Sequence, residues 1–475
     1  MSVAEGPLGY GAYVPGWIAF AVFIISGRAA RTCRNHDIFL PKEPKILYLE
    51  FLNKVNSYSP LRNVFLSETL AMPSLYNRIS LLCLKASRYQ SYLSSAESTN
   101  KFIKTHHLKA DHSPSQKLHR YFDIQRGHCR GRDVYTMQSK NSGFIFTHAV
   151  NILYIHGGAY VNEITIRQWE FLGHIIESAA HQGINVIFHI PIYSLITPEV
   201  SDIQGGHGHA HALLGFLKAV YRSIIEKSGQ RSDIQIMGDE AGGGLAYALS
   251  VALDNRSGLP SPRRLLLLSP WLDNTLQNPA VRRLRQVDPL NRLEGLKVCG
   301  RLYALGTNPQ DPLLHPVYAR VDKSLLSRIF VWTSDADICQ GDVQTLVYLA
   351  SKRGIDMTHE SKSKAPRYVC MSGLYPSWMF ASWTPEAKKT ITEIVGVIKQ
   401  AALTAQSPSL GSPQLLRRKS SVGHMRKNRH WSSGSINARP RGRSVGPAAI
   451  WGPPPVMEGV LIKDPLPWTA AVPRY

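Results

Sequence analysis

Cysteine is scarce in this chain. The 475 residues contain six, at Cys33, Cys83, Cys129, Cys299, Cys339 and Cys370, with no C-x-x-C pair among them. That spacing excludes zinc and thioredoxin-like signatures and provides no disulfide framework, so a reducing compartment is expected. Acidic residues are also few, 33 Asp and Glu against 55 Lys and Arg, for a net charge of +22. Such a balance would suit nucleic acid or an anionic surface, but no dense basic run supports it. Residues 401–475 alone hold 11 Lys and Arg against 2 Asp and Glu, and the rest of the excess is spread along the chain. The basic surface reads as solvated, with no specific nucleic-acid partner.

Charge is absent altogether from residues 6–27, where residues 17–25 are apolar throughout and Arg28, Arg31 and Arg34 follow. No cationic segment precedes this run and no small-residue cleavage site follows it, which argues against a removable signal. Residues 1–34 are therefore expected to be a membrane anchor. The basic flank would keep the bulk of the chain cytoplasmic, giving a membrane-associated protein, for instance at the endoplasmic reticulum. The competing reading is an apolar segment packed on the main domain.

Hydrophobic residues make up 44% of the chain, enough for a sizeable core. Residues 35–116 read as a helical connector or cap, with Tyr76, Ile79 and Cys83 at helical spacing. From residue 117 the pattern alternates. A hairpin is expected over 120–126 and 133–138, then apolar strands at 151–155, 185–190, 233–237, 265–268, 328–333 and 368–371. Helices are expected at 165–181, 209–228, 241–254, 342–353 and 385–400. Such alternation predicts an α/β fold with a mostly parallel, doubly wound sheet over 117–400. Beyond 400, Ser, Gly, Pro and Arg dominate, and a disordered basic tail is expected over 401–475. Within it, Arg417-Arg418-Lys419-Ser420 has the pattern of a basophilic-kinase site.

Two turns carry the chemistry. His156-Gly157-Gly158-Ala159-Tyr160 closes a buried strand, and Gly238-Asp239-Glu240-Ala241-Gly242-Gly243 forms a strand-to-helix elbow. In G-x-S-x-G elbows the central residue is a serine nucleophile, and the next backbone N–H faces a developing oxyanion. Here that residue is glutamate. Gly157, Gly158 and Ala241 are the expected oxyanion-hole or ligand-binding positions. His207, His209 and His211 share a short segment, but no nearby carboxylate or cysteine completes a metal set, so no metal or cofactor is expected. Asn255-Arg256-Ser257 is a glycosylation sequon that matters only in a lumenal domain.

With these motifs, and with Leu268-Ser269-Pro270-Trp271-Leu272-Asp273 and Thr333-Ser334-Asp335-Ala336-Asp337-Ile338, the chain resembles the α/β-hydrolase fold. The resemblance is to hormone-sensitive-lipase-like esterases and deacetylases, including fungal steryl acetyl hydrolases. It covers residues 117–400 and implies an ester-hydrolysing serine, aspartate and histidine. Residue by residue, the nucleophile position is Glu240 and the acid matches Asp337, with Asp335 and Asp342 as flanking carboxylates. The histidine position falls on Pro376, and no histidine occurs between His359 and His424. A serine needs a neighbouring base, and both are missing.

The expectation is a non-hydrolytic protein that binds a small apolar or ester-like ligand, or a partner. Glu240 would turn back among the N–H groups of the hole and be held ionised. The alternatives are an isomerase, lyase or cyclase using Glu240 as base, or an esterase with displaced catalytic groups.

Overall fold

The computed structural model describes residues 93–106, 112–140, 146, 148–196, 209–228, 234–254, 258–358 and 367–406. The expected anchor at 1–34, most of the connector at 35–116, His207, the sequon at 255–257 and the tail beyond 406 lie outside the described residues. Among the described residues no helix is long and apolar enough to cross a membrane. By contacts the chain divides into Met1–Ala402 and Leu403–Tyr475; the sheet and the site belong to the first unit.

Eight strands form one sheet: β1 (Phe122–Cys129), β2 (Arg132–Ser139), β3 (His148–Ile155), β4 (Ile184–Pro191), β5 (Ile234–Asp239), β6 (Leu265–Leu268), β7 (Ile329–Ser334) and β8 (Tyr368–Met371). Their order is β1-β2-β4-β3-β5-β6-β7-β8. β1 and β2 pair antiparallel, β2 meets β4 antiparallel, and every pair from β4 to β8 is parallel. Arg130 and Gly131 turn the hairpin with φ of 47° and 75°, the double left-handed geometry of a two-residue turn. The helices are α1 (Ala96–His106), α2 (Leu118–Tyr121), α3 (Ile166–Ala180), α4 (His209–Ser228), α5 (Glu240–Asp254), α6 (Ala280–Leu284), α7 (Leu293–Ala304), α8 (Lys323–Leu326), α9 (Gln340–Lys352) and α10 (Pro385–Gln406).

The central strands are apolar because helices cover both faces. Ile152, Leu153, Tyr154 and Ile155 of β3 and all four leucines of β6 are wholly buried. α3 starts at a capping box in which Thr165 accepts from Gln168 N–H while the Gln168 side chain accepts from Thr165 N–H. Its apolar face, with Trp169, Phe171 and Ile175, joins Ile394, Val395 and Ile398 of α10 in the main core. Every strand expected from the sequence is present within a few residues. The helices over 280–304 were not anticipated, and α10 runs on to Gln406, past the expected end at 400. None of the cysteines among the described residues is in a disulfide.

Candidate active site

The elbow keeps its backbone. β5 ends at Asp239 and α5 begins at Glu240, whose φ of 50° lies in the left-handed region that a side chain rarely adopts. Such a residue costs of order 1–3 kcal/mol and persists only where its surroundings hold it. Glycines allow the crossing. A Cβ on Gly238 would strike the Gly242 carbonyl, and one on Gly242 would strike the carbonyls of Ile155 and His156. Trp271 N–H donates to Glu240 O at 2.8 Å and ties the elbow to the loop after β6.

The Glu240 side chain turns back onto the HGG turn. Gly158 N–H donates to its Oε2 at 2.9 Å, and the Ala159 N–H also points at the carboxylate. Gly157, expected to share in the hole, donates instead to Asp239 Oδ1 at 2.9 Å. Both glycines are required by the protein itself. A Cβ on Gly157 would lie 2.5 Å from Asp239 Oδ2, and one on Gly158 would lie 2.8 Å from Asn162 O. Ala241 is fully buried in the first turn of α5. Of the three expected N–H donors, Gly158 is the one aimed at Glu240, and Glu240 occupies it.

Glu240 was expected to be held ionised, and the balance of forces goes the other way. Burial raises its pKa from 4.5 to about 7, outweighing the opposing hydrogen bond from Gly158, and the Asp239 charge raises it further. Asp239 is itself pushed from 3.8 to about 6 by burial. That rise occurs although Asp239 accepts from Tyr154 Oη at 2.6 Å and from Gln168 Nε2 at 2.9 Å.

Asp337 lies in the loop after β7, as expected. Its Oδ1 accepts from Cys339 N–H at 2.9 Å, and the Ser269 side chain also interacts with the carboxyl. Burial raises its pKa well above the usual range, and the charge of Asp288 adds to the rise. Asp288, which the sequence reading missed, is wholly buried and accepts from Leu290 and Asn291 N–H at 2.8 Å each and from Ile338 N–H at 3.0 Å. It thereby fastens the Asp337 loop to the segment beside the elbow. The D-x-x-N spacing of Asp288 and Asn291 was its available signal, since such a carboxylate caps the N–H groups that follow it.

The flanking carboxylates do structural work. Asp335 accepts from Ser372 Oγ at 2.7 Å and Gly373 N–H at 2.9 Å, holding the turn after β8. Asp342 is buried and accepts from Asp273 N–H at 3.2 Å.

The expected histidine position is occupied by proline. Pro376 is buried in the loop after β8, between Tyr375 and Ser377. His156 is wholly buried, stacked 4.2 Å from Tyr193, and its Nδ1 donates to Gly157 O at 2.7 Å. Burial pushes its pKa down to about 3, so its ring is neutral. His209 and His211 begin α4, where His211 Nε2 lies 2.6 Å from Asp311 Oδ2. Among the described residues no group of three or more His, Cys, Asp or Glu could hold a metal ion.

Glu240 is half-buried at the floor of a cleft of about 460 Å³, a size suited to a small organic ligand. Leu93, Leu290, Tyr375, Phe380 and Trp383 supply apolar surface, and Asn162, Gln168 and Asn291 supply polar groups. Among the described residues no histidine lines it. On its wall the Arg167 guanidinium lies 5.2 Å from the Trp383 ring centroid, and Trp383 is 44% exposed.

A family model of the alpha/beta hydrolase fold matches residues 152–366. An esterase of Acinetobacter venetianus is 29% identical over 177 residues, covering 37% of this chain and 54% of that protein. An acetyl-hydrolase of Streptomyces hygroscopicus is 25% identical over 211 residues, covering 44% of this chain and 64% of that protein. The matches to these relatives therefore span between about half and two thirds of their length. Among solved structures, an esterase from the bacterial hormone-sensitive lipase family superposes with a TM-score of 0.52 at 22% identity, over 70% of this chain and 100% of that one. The chain has the α/β-hydrolase fold. A solved esterase of the bacterial hormone-sensitive lipase family shares that fold.

Proposed function

We propose that this protein binds a small, largely apolar, ester-like molecule in the Glu240 cleft and does not hydrolyse it. One observation carries this reading: the Glu240 carboxylate accepts the Gly158 N–H at 2.9 Å, and so fills the seat in which an ester oxyanion would be stabilised. Hydrolysis through a tetrahedral intermediate needs donors aimed at the developing charge, and here a negative or proton-shared group stands in that place. The esterase and acetyl-hydrolase relatives support the ligand class, and the apolar wall of the cleft suits it.

The test is direct. Purified full-length protein is expected to resist labelling by a serine-directed fluorophosphonate and to leave a panel of p-nitrophenyl esters intact. It should bind a non-hydrolysable ester analogue with quenching of tryptophan fluorescence, through Trp383. Ester turnover blocked by the fluorophosphonate would overturn the reading.

A second reading is favoured by the Glu240 pKa of about 7. A carboxylate so poised serves as a general base near neutral pH, for an isomerase, lyase or cyclase step. Turnover of a carbonyl compound that disappears in Glu240→Gln would establish it in place of the first.

A further inference from the structure

The donors around the floor of the Glu240 cleft are committed to the protein itself. Gly158 N–H donates to Glu240 Oε2 at 2.9 Å, and the Ala159 N–H points at the same carboxylate. Gly157 N–H and Gln168 Nε2 both donate to the Asp239 carboxylate, at 2.9 Å each. Asn291 Nδ2 donates to Asp288 Oδ2 at 3.3 Å. The oxygen end of Gln168 is taken too, accepting from the Thr165 N–H at 2.7 Å and hydroxyl at 2.8 Å.

A ligand therefore meets a floor rich in lone pairs. Glu163, Asp239 and Glu240 all line the cleft, and an ionised carboxylate accepts hydrogen bonds without donating any. An ester or ether oxygen set against such a group finds no proton between them, and both lose their hydration for nothing. Arg167, the cation among the lining residues, lies over the Trp383 ring at the wall. Asn162 and Ser377 also line the cleft, and an amide or a hydroxyl can donate to the lone pairs of a ligand oxygen.

We propose that the ligand of this cleft carries a free hydroxyl, which donates a hydrogen bond to the Glu240 carboxylate. The inference rests on the reading of the cleft as a binding site and names the chemistry of the ligand's polar end: the ligand is an apolar alcohol or hydroxy ester. A hydroxyl suits the floor better than an ammonium does. An ammonium loses far more hydration on entering an apolar cleft, and the guanidinium on the wall repels it. A hydroxyl also has lone pairs of its own for Asn162 or Ser377, which an ammonium lacks.

The experiment uses the full chain at about pH 8, above the Glu240 pKa of about 7, so that the floor presents acceptors. Calorimetric titrations compare ethyl cyclohexanecarboxylates that bear a hydroxyl, a methoxyl or an amino group on the far ring carbon. The methoxyl keeps the oxygen and lacks the proton. The hydroxy ester is expected to bind roughly tenfold tighter than the methoxy ester, the scale of a hydrogen bond whose loss leaves a buried acceptor unpaired. In Glu240→Gln the amide oxygen takes the Gly158 N–H and the amide NH2 turns to the ligand, so the preference should vanish or invert. Thermal melts keep the comparison to folded protein. Where Glu240→Gln does not fold, the unmodified chain at about pH 5 carries the test. There Glu240 and Asp239, with pKa values of about 7 and about 6, are protonated and can donate, and the preference should shrink.

A preference for the hydroxy ester that is lost in Glu240→Gln, or at the lower pH, supports the proposal. Equal binding of the hydroxy and methoxy esters, a preference unchanged in both tests, or tighter binding of the amino ester would each overturn the hydroxyl and leave the cleft a binding site. No binding of any of these esters would overturn the binding reading and the inference with it.

Discussion

Glu240→Gln isolates what burial does to the elbow carboxylate. Its folded pKa is raised from 4.5 to about 7, so in the unfolded chain the group ionises first. The stability tied to its protonated form is fully present below about pH 4.5 and is lost as pH rises through about 7. Over the whole window that difference is on the order of 3 kcal/mol, and between pH 5 and pH 8 it is about 2.5 kcal/mol. Glutamine keeps the length of the side chain and an oxygen for the Gly158 N–H, and it does not titrate. Urea denaturation at pH 5 and pH 8 reads the effect. The variant should match the unmodified protein at pH 5 and exceed it by about 2.5 kcal/mol at pH 8, with a weaker dependence on pH between them. Asp239 and Asp288, both raised from 3.8 to about 6, keep some of the acid preference in both proteins. Equal stability at pH 8, or a variant less stable there, would show that Glu240 is ionised at no cost and would refute the reasoning.

Other substitutions test neighbouring parts of the argument. Gly242→Ala drives a methyl into the carbonyls of Ile155 and His156 and should cost about 3 kcal/mol or more, read as a lowered urea midpoint. Asp288→Ala orphans the N–H groups of Leu290, Asn291 and Ile338. It should cost about 2–4 kcal/mol, with Asp288→Asn milder, and the cleft beside Leu290 should bind ligand less well. Glu240→Ser combined with Pro376→His should gain p-nitrophenyl acetate hydrolysis measurable above background, while neither substitution alone does so, because nucleophile and base act as a unit.

What the sequence made legible was local. The strands announced themselves because their apolar runs are buried on both faces, and the elbow did so because glycine is the only residue that fits between Gly238 and the β3 carbonyls. Glu240 lies at the strand-to-helix elbow, Gly158 in the turn after β3 and Asp337 in the loop after β7. The partition of the N–H groups was not legible. Gly157 serves Asp239 rather than the hole, a choice made by side-chain geometry across 82 residues. Which of the two expected states Glu240 takes, held ionised by the N–H groups or raised in pKa by burial, was not legible either, since the depth of burial is a property of the assembled core. α7 had a readable signal in Leu293, Leu296 and Tyr303, all buried, but the surrounding Arg and Pro residues masked its period.

Asp239 has a consequence for how a ligand comes and goes. Its carboxylate joins Tyr154 on β3, the Gly157 turn and Gln168, and Gln168 is also the partner of Thr165 in the capping box of α3. Strand, turn, elbow and helix are therefore pinned at one point next to Glu240. The cleft wall also carries Arg167 stacked on the half-exposed Trp383. Such side chains rotate in picoseconds to nanoseconds. Ligand contact with that pair is then expected to vary on the same fast timescale while the Asp239 anchor stays fixed.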